Sequence, residues 1–223
     1  MGERRRVRFY FDFVSPYSWL ALMTATEFAA RHRVEWEMRP VVFAALLDAA
    51  GLVGPVESNV KRRYTFVDVW RCARRAGLRL VGPPAHPFRS IEALRAACVF
   101  QDRPEALALV RRIAAACWSD GADLTDRRTL ERLVRDTVAY DGPLATALDD
   151  PTIKRLLREN TDRAIADGAF GVPTFVLDGR LFWGQDRMDQ LADALAGRDD
   201  PEAAELAQLI DRPRGADRRR TAG

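Results

Sequence analysis

The 223 residues are 48% hydrophobic and 30% charged, a globular balance that excludes wholesale disorder and lets the chain bury a core without disulfide or metal staples. Lysines and arginines (35) exceed aspartates and glutamates (32) by a net charge of only +3, part of it in the end segments 4–6 and 218–220, so no nucleic-acid partner is expected. No apolar run approaches the ~18 residues of a membrane span, and residues 7–14 are too short and too charged for a signal-peptide core, so the expected location is cytoplasmic, with no membrane partner.

Residues 7–14, rich in aromatic and β-branched side chains, predict a buried strand. Serine is a favoured N-cap and proline a favoured first helical residue, so Ser15-Pro16 opens a helix expected over 16–31. Val34, Trp36 and Met38 then alternate with Glu35, Glu37 and Arg39, the pattern of a half-buried strand over 34–40. This β-α-β opening suits a right-handed crossover between parallel strands.

From 41 to 168 the pattern is largely helical. Phe66, Val69, Trp70 and Ala73 recur at helical spacing within 61–76, and Gly77 fits the C-terminal cap. The proline-rich stretch 82–87 reads as loop, and helical periods follow over 91–100, 105–117 and 127–139, with Pro104 at a first helical position after Asp102. Asp150-Pro151 opens another helix and Gly168 closes it. The β pattern returns over 172–177, turns at Asp178-Gly179 and continues over 180–183 as a hairpin. Asp186 is expected to cap a helix over 187–196 ended by Gly197, and 198–223 to hold one short helix (202–210) and a frayed, partly disordered tail. The expected class is α/β: a thioredoxin-like core, 7–40 and 169–197, interrupted by an all-helical insert domain, 41–168, with a C-terminal extension from 198.

Cys72, Cys98 and Cys117 include no C-x-x-C pair and no zinc-ligand spacing, so they are expected to be buried apolar packing, and His32 and His86 are too few for a histidine-rich metal site. At the first strand–helix junction, where a thioredoxin-like fold normally presents a C-x-x-C, stands Ser15-Pro16-Tyr17-Ser18. Serine is a poor redox group, which excludes disulfide exchange by this site. A hydroxyl at the positive end of a helix can instead donate to the thiolate of a bound thiol. Lowering a thiol pKa by about two units takes about 2.7 kcal/mol, which a charge-assisted hydrogen bond and a helix terminus can supply together. The other reading of Ser15 is a simple N-cap.

Val172-Pro173 heads the third strand. A cis bond there would turn the backbone N–H and C=O of Val172 outward to pair with a peptide-like ligand, whereas a trans proline would merely start the strand. Gly184 and Asp186 would bring backbone amides and a carboxylate to the same cleft, where the carboxylate suits a ligand ammonium; read alone, they are a hairpin exit and an N-cap.

Taken together, 11–18 (FDFVSPYS), 170–174 (FGVPT) and 183–188 (WGQDRM), in this order within 7–197 and with Lys61, Tyr64 and Asp68 on the first insert helix, resemble the 2-hydroxychromene-2-carboxylate isomerase and kappa-class glutathione transferase family. The resemblance implies a thioredoxin-like fold with a helical insert, glutathione as cofactor, a small aromatic or electrophilic substrate, and a homodimer. It implies that Ser15 activates the glutathione sulfur, flanked by Pro16 and Tyr17. Val172, ahead of Pro173, would pair with the cysteinyl backbone, and Trp183, Gly184, Gln185 and Asp186 would line the glutathione site. The chain departs from the family at Leu52, where asparagine often follows the glycine, at Leu47 in place of a substrate-contacting lysine, and at Ser58 or Asn59 in place of an arginine. Lys61 and Arg62 are then the nearest basic candidates for a substrate carboxylate, against a plain solvated helix face. The implied activity is glutathione-dependent isomerisation of a 2-hydroxychromene-2-carboxylate-like substrate. A kappa-class-like transferase or peroxidase, a non-catalytic thiol-binding module, and another low-molecular-weight thiol remain the alternatives.

Overall fold

The structure, a computed structural model, describes residues 4–198, 204–213 and 215. The chain runs β1 (Arg5–Phe11), α1 (Pro16–His32) and β2 (Val34–Pro40), then α2 (Phe43–Ala50), α3 (Asn59–Arg75), α4 (Ile91–Phe100), α5 (Ala106–Trp118), α6 (Arg127–Thr137), α7 (Leu144–Asp149) and α8 (Pro151–Ala166). It returns to β3 (Thr174–Leu177), β4 (Arg180–Trp183) and α9 (Met188–Leu195), with α10 (Ala204–Ile210) beyond. The sheet order is β2-β1-β3-β4, with β1 parallel to β2 and β3 antiparallel to both β1 and β4. This is the expected α/β, thioredoxin-like arrangement, with the helices α2–α8 inserted between β2 and β3.

Alternation along β1 decides what each sheet face meets. Val7, Phe9 and Phe11 join Phe175 and Leu177 in the main core with Trp19 and Leu22 of α1, and the Phe9 and Phe175 rings lie 4.6 Å apart. Tyr10 and Val176 pack instead with Leu46 of α2 and Ala164 of α8. Helix α1 starts where the Ser15 side chain accepts from the Ser18 N–H. It ends at Arg33, whose left-handed backbone (φ 57°) donates to the Ala29 carbonyl and turns the chain directly into β2.

Several boundaries differ from the sequence expectation for local reasons. β1 stops at Phe11 because the Asp12 carboxylate and carbonyl take the N–H groups of Val14 and Ser15, turning the backbone out of the ladder. β3 starts at Thr174, after Pro173, which has no N–H to give to a ladder. Pro104 lies in a turn in which Arg103 donates to Phe100 and Ala106 to Arg103, and α5 begins only at Ala106. Helix α6 ends two residues early, where Val138 becomes extended. Helices α2 and α7 are too short for a periodic signal. Helix α10 falls within the expected 202–210, while the expected frayed tail lies mostly outside the described residues.

Candidate functional site

The junction of β1 and α1 is built around Ser15, which is 6% exposed. Its Oγ accepts from the Ser18 N–H at 3.2 Å and donates to the Val172 carbonyl at 3.3 Å. The Val172-Pro173 bond is cis. The fold therefore joins two segments 157 positions apart in sequence, and the hydroxyl is both cap and cross-link.

Three residues that sequence reasoning gave no role hold this junction. The Asp12 carboxylate is 2% exposed and accepts from the N–H groups of Val14 and Phe43, both at 3.0 Å. Burial pushes its pKa up, against the pull of those bonds and of the Ser90 hydroxyl. The His86 Nε2 sits 2.9 Å from the Val14 carbonyl, and the Trp118 indole donates to the Phe13 carbonyl at 2.9 Å. A carbonyl only accepts, so Nε2 carries the proton, and among the described residues the buried Nδ1 has no partner. Burial first, and the Arg62 charge with it, hold the His86 pKa below the ordinary imidazole value despite the bond to Val14. Apart from the local Asp12–Val14 bond, these contacts cross 31 to 105 positions of sequence, and no local pattern announces them.

The second wall comes from the β4 exit. A Cβ on Gly171 would meet Trp183 Nε1 at 2.5 Å, so only glycine lets that indole lie over the strand approach. Gly184, at φ 111°, donates its N–H to the Pro173 carbonyl at 2.9 Å and ties this exit to the cis-proline segment. Asp186 does not cap the following helix as expected. Residues Gln185–Arg187 form a single 3-10 turn, α9 begins at Met188, and Asp186 instead pairs with Arg187 at 3.1 Å.

Between this turn and α3 opens a cleft of about 380 Å³ lined by Cys72, Arg75, Ala76, Gln185, Asp186, Met188 and Asp189. The Gln185 amide donates to Cys72 Sγ at 3.9 Å. Cys72 is thus only half buried and lines a cleft, unlike the expected apolar cysteine, while Cys98 and Cys117 are buried as expected. Burial and the Asp68 charge raise the Cys72 thiol pKa, and burial pushes Cys98 up to about 12.

Gln185 and Asp186 line the cleft itself, whereas Ser15 and Val172 form a separate contact linked to it through Pro173 and Gly184. Pro16 is buried at the first helical position, and Tyr17 Oη donates to Asp68 Oδ2 at 2.8 Å, tying α1 to α3. Trp183 is half exposed. Lys61 and Arg62 lie on the exposed side of α3, with the Arg62 guanidinium 5.4 Å from the Phe66 ring centroid and 3.5 Å from the His86 carbonyl. Among the described residues no group of three or more His, Cys, Asp or Glu could hold a metal ion, and no helix is long and apolar enough to cross a membrane.

Residues 6–196 match the family described as DSBA-like thioredoxin domain. The 2-hydroxychromene-2-carboxylate isomerase of Sphingobium xenophagum is 29% identical over 189 residues, covering 84% of this chain and 96% of that protein. Glutathione S-transferase kappa 2 of Caenorhabditis elegans is 30% identical over 217 residues, covering 88% of this chain and 94% of its own length. A solved 2-hydroxychromene-2-carboxylate isomerase superposes with a TM-score of 0.79 at 28% identity, covering 90% of this chain and 98% of the other.

Proposed function

For a chain that belongs to the DsbA-like thioredoxin domain family, in the branch of 2-hydroxychromene-2-carboxylate isomerases and kappa-class glutathione transferases, we propose a glutathione-dependent isomerase acting on a 2-hydroxychromene-2-carboxylate-like aromatic substrate. The observation that carries this reading is the Ser15 hydroxyl, at the start of α1 and 3.3 Å from the Val172 carbonyl, where no cysteine of the chain is present.

The donor set fits glutathione. Ser15 offers a hydroxyl proton at the positive end of a helix, Val172 offers a backbone edge beside a cis proline, and Asp186 offers a carboxylate to an ammonium group. Ser15 would turn its proton from the Val172 carbonyl to the sulfur, exchanging a neutral hydrogen bond for a charge-assisted one about twice as strong. Val172 would pair with the cysteinyl backbone and Pro173 would fix that edge. Pro16 leaves the first helical position without an N–H, Tyr17 is held by Asp68, and Trp183, Gly184 and Gln185 would flank the peptide. Bound glutathione supplies the sulfur nucleophile for addition and later elimination and is returned unchanged. Lys61 and Arg62 would receive the substrate carboxylate.

Val60, Tyr64, Val67 and Trp70 leave an exposed apolar stripe on α3, which supports a homodimer packed there. All three cysteines are free, which supports a reducing, cytoplasmic location. The second reading, a kappa-class-like transferase or peroxidase, is favoured by Leu47 and by Ser58 or Asn59, which put no charge where an aromatic carboxylate would need one.

Turnover assays separate the readings. An isomerase converts 2-hydroxychromene-2-carboxylate without consuming glutathione, and Ser15→Ala lowers kcat roughly 100-fold, as loss of one preorganised donor does elsewhere. Stoichiometric glutathione loss with an electrophile or peroxide, and no chromene turnover, would favour the second reading.

A further inference from the structure

A second cavity, of about 100 Å³, lies on the sheet face that Tyr10 turns toward α8 and is lined by Arg8, Tyr10, Glu37, Arg39, Asn160 and Arg163. It shares no residue with the Ser15–Val172 junction or with the cleft beside Gln185. In the parallel register of β1 and β2, Arg8 stands beside Glu37 and Tyr10 beside Arg39, so alternation puts these four side chains on one face. Asn160 and Arg163, one turn apart on α8, complete the wall. Asn160, 7% exposed, is fixed by donating to Gln101 Oε1 at 2.7 Å.

Three guanidiniums from three elements thus meet one carboxylate. Glu37 Oε2 accepts from Arg8 Nε at 3.2 Å, and Oε1 from Arg39 Nη2 at 2.7 Å. Asp167 and Asp102 take further bonds from these arginines but do not line the cavity. After these bonds Arg8 Nη2, Arg39 Nε and both Nη atoms of Arg163 have no acceptor among the described residues. The Arg8 and Arg39 side chains are only 23% and 18% exposed, so little water screens their charge.

Unpaired guanidinium donors around one cavity suit an oxyanion. The volume, that of about three waters, admits a small tetrahedral ion and no aromatic acid. Glu37 narrows the choice further. Its carboxylate repels a bare anionic oxygen, but each of its oxygens keeps a lone pair that can accept from one bearing a proton. We propose that this cavity is a site for hydrogen phosphate, with Arg8, Arg39 and Arg163 donating to its oxygens and Glu37 accepting from its P–OH. Sulfate has the same shape but carries no proton near neutral pH, and a phosphomonoester, with a second pKa of about 6, has lost its own by about pH 8. The bound ion ties β1 and β2 to α8 and stabilises the fold by mass action.

The test is calorimetric titration of the full chain at about pH 8, in chloride buffer of matched ionic strength, with sodium phosphate, sodium sulfate and phosphoserine. The proposal expects saturable phosphate binding, with sulfate and phosphoserine at least about tenfold weaker, the effect of one charged hydrogen bond lost. Arg163, whose side chain is 63% exposed, can be changed without disturbing the core. Arg163→Gln should weaken phosphate about tenfold, and Arg163→Lys should recover part of the loss. Glu37→Gln, which exchanges one acceptor for a donor, should bring sulfate close to phosphate; if that variant does not fold, the wild-type comparison of the two ions decides the same point. No saturable phosphate binding, equal affinity of the wild-type protein for phosphate and sulfate, or unchanged phosphate affinity in Arg163→Gln would overturn the proposal and leave the cluster as ion pairs alone. None of these outcomes bears on glutathione binding.

Discussion

Asp12 shows how one buried side chain can set a site it does not enter. Each carboxylate oxygen accepts from a different N–H, Val14 on one side and Phe43 on the other. Asparagine keeps one acceptor and turns a donor toward the other N–H. Asp12→Asn should therefore cost about 1–3 kcal/mol, read as a lower denaturant midpoint, and should displace Ser15 enough to slow turnover. His86 makes a second prediction at this scale. Its folded pKa lies below the ordinary imidazole value of 6.5, so the unfolded chain binds the proton first. The His86 contribution is present above that value and is lost as pH falls from it toward the lower folded pKa. His86→Gln should flatten this part of the stability profile; an unchanged slope in pH-dependent urea melts would contradict the assignment. Ser15, Pro173 and Gly184 were legible because caps, strand-heading prolines and turn glycines are local signals. Asp12, His86 and Trp118 were not, since their meaning lies in partners far along the chain.

Among elements, the link between β1 and the end of α8 is polar and cooperative. Asp167 accepts from Tyr10 Oη at 2.7 Å, from Arg8 at 2.5 Å and from Arg163 at 2.9 Å, while Arg8 also reaches Glu37. Burial raises the Asp167 carboxyl, but the bonds from Tyr10 and Arg8 and the neighbouring guanidinium charges outweigh it and hold the pKa below the usual carboxylate range. A depressed folded value stabilises above the unfolded pKa and is lost as pH falls through the folded one. Asp167→Asn should cost about 1.5–3 kcal/mol at neutral pH and progressively less in acid, measured by urea unfolding across pH. A cost that does not change with pH would contradict this picture. Long helices were readable from period and caps, as at α8, where Asp150 accepts from the Thr152 N–H. The 3-10 turn at Gln185–Arg187 was not, because Gly184 allows the chain a turn that aspartate followed by a helical period does not reveal.

At the scale of the molecule, the helical stretch between β2 and β3 leaves the sheet and returns to it so that β3 lies beside β1. Phe175 is fully buried at this return, packed on Phe9 and on Trp36. Phe175→Ala should destabilise the fold by about 3–5 kcal/mol in chemical denaturation, with glutathione binding restored when the folded fraction is. The class of the fold was visible in the β-α-β and β-β-α patterns. The meeting of Ser15 with Val172 was visible only through resemblance, because strand pattern alone does not state which edges join.

A serine-activated sulfur shows itself most directly in the acidity of the bound thiol. Ultraviolet absorbance of the glutathione thiolate, titrated against pH on the wild-type protein and on Ser15→Ala, reads it without any substrate. We predict a bound pKa about two units below that of free glutathione, moving back up by at least about one unit in Ser15→Ala while glutathione still binds. Equal thiol pKa values in the two proteins would contradict a serine-activated sulfur and leave Ser15 as a helix cap.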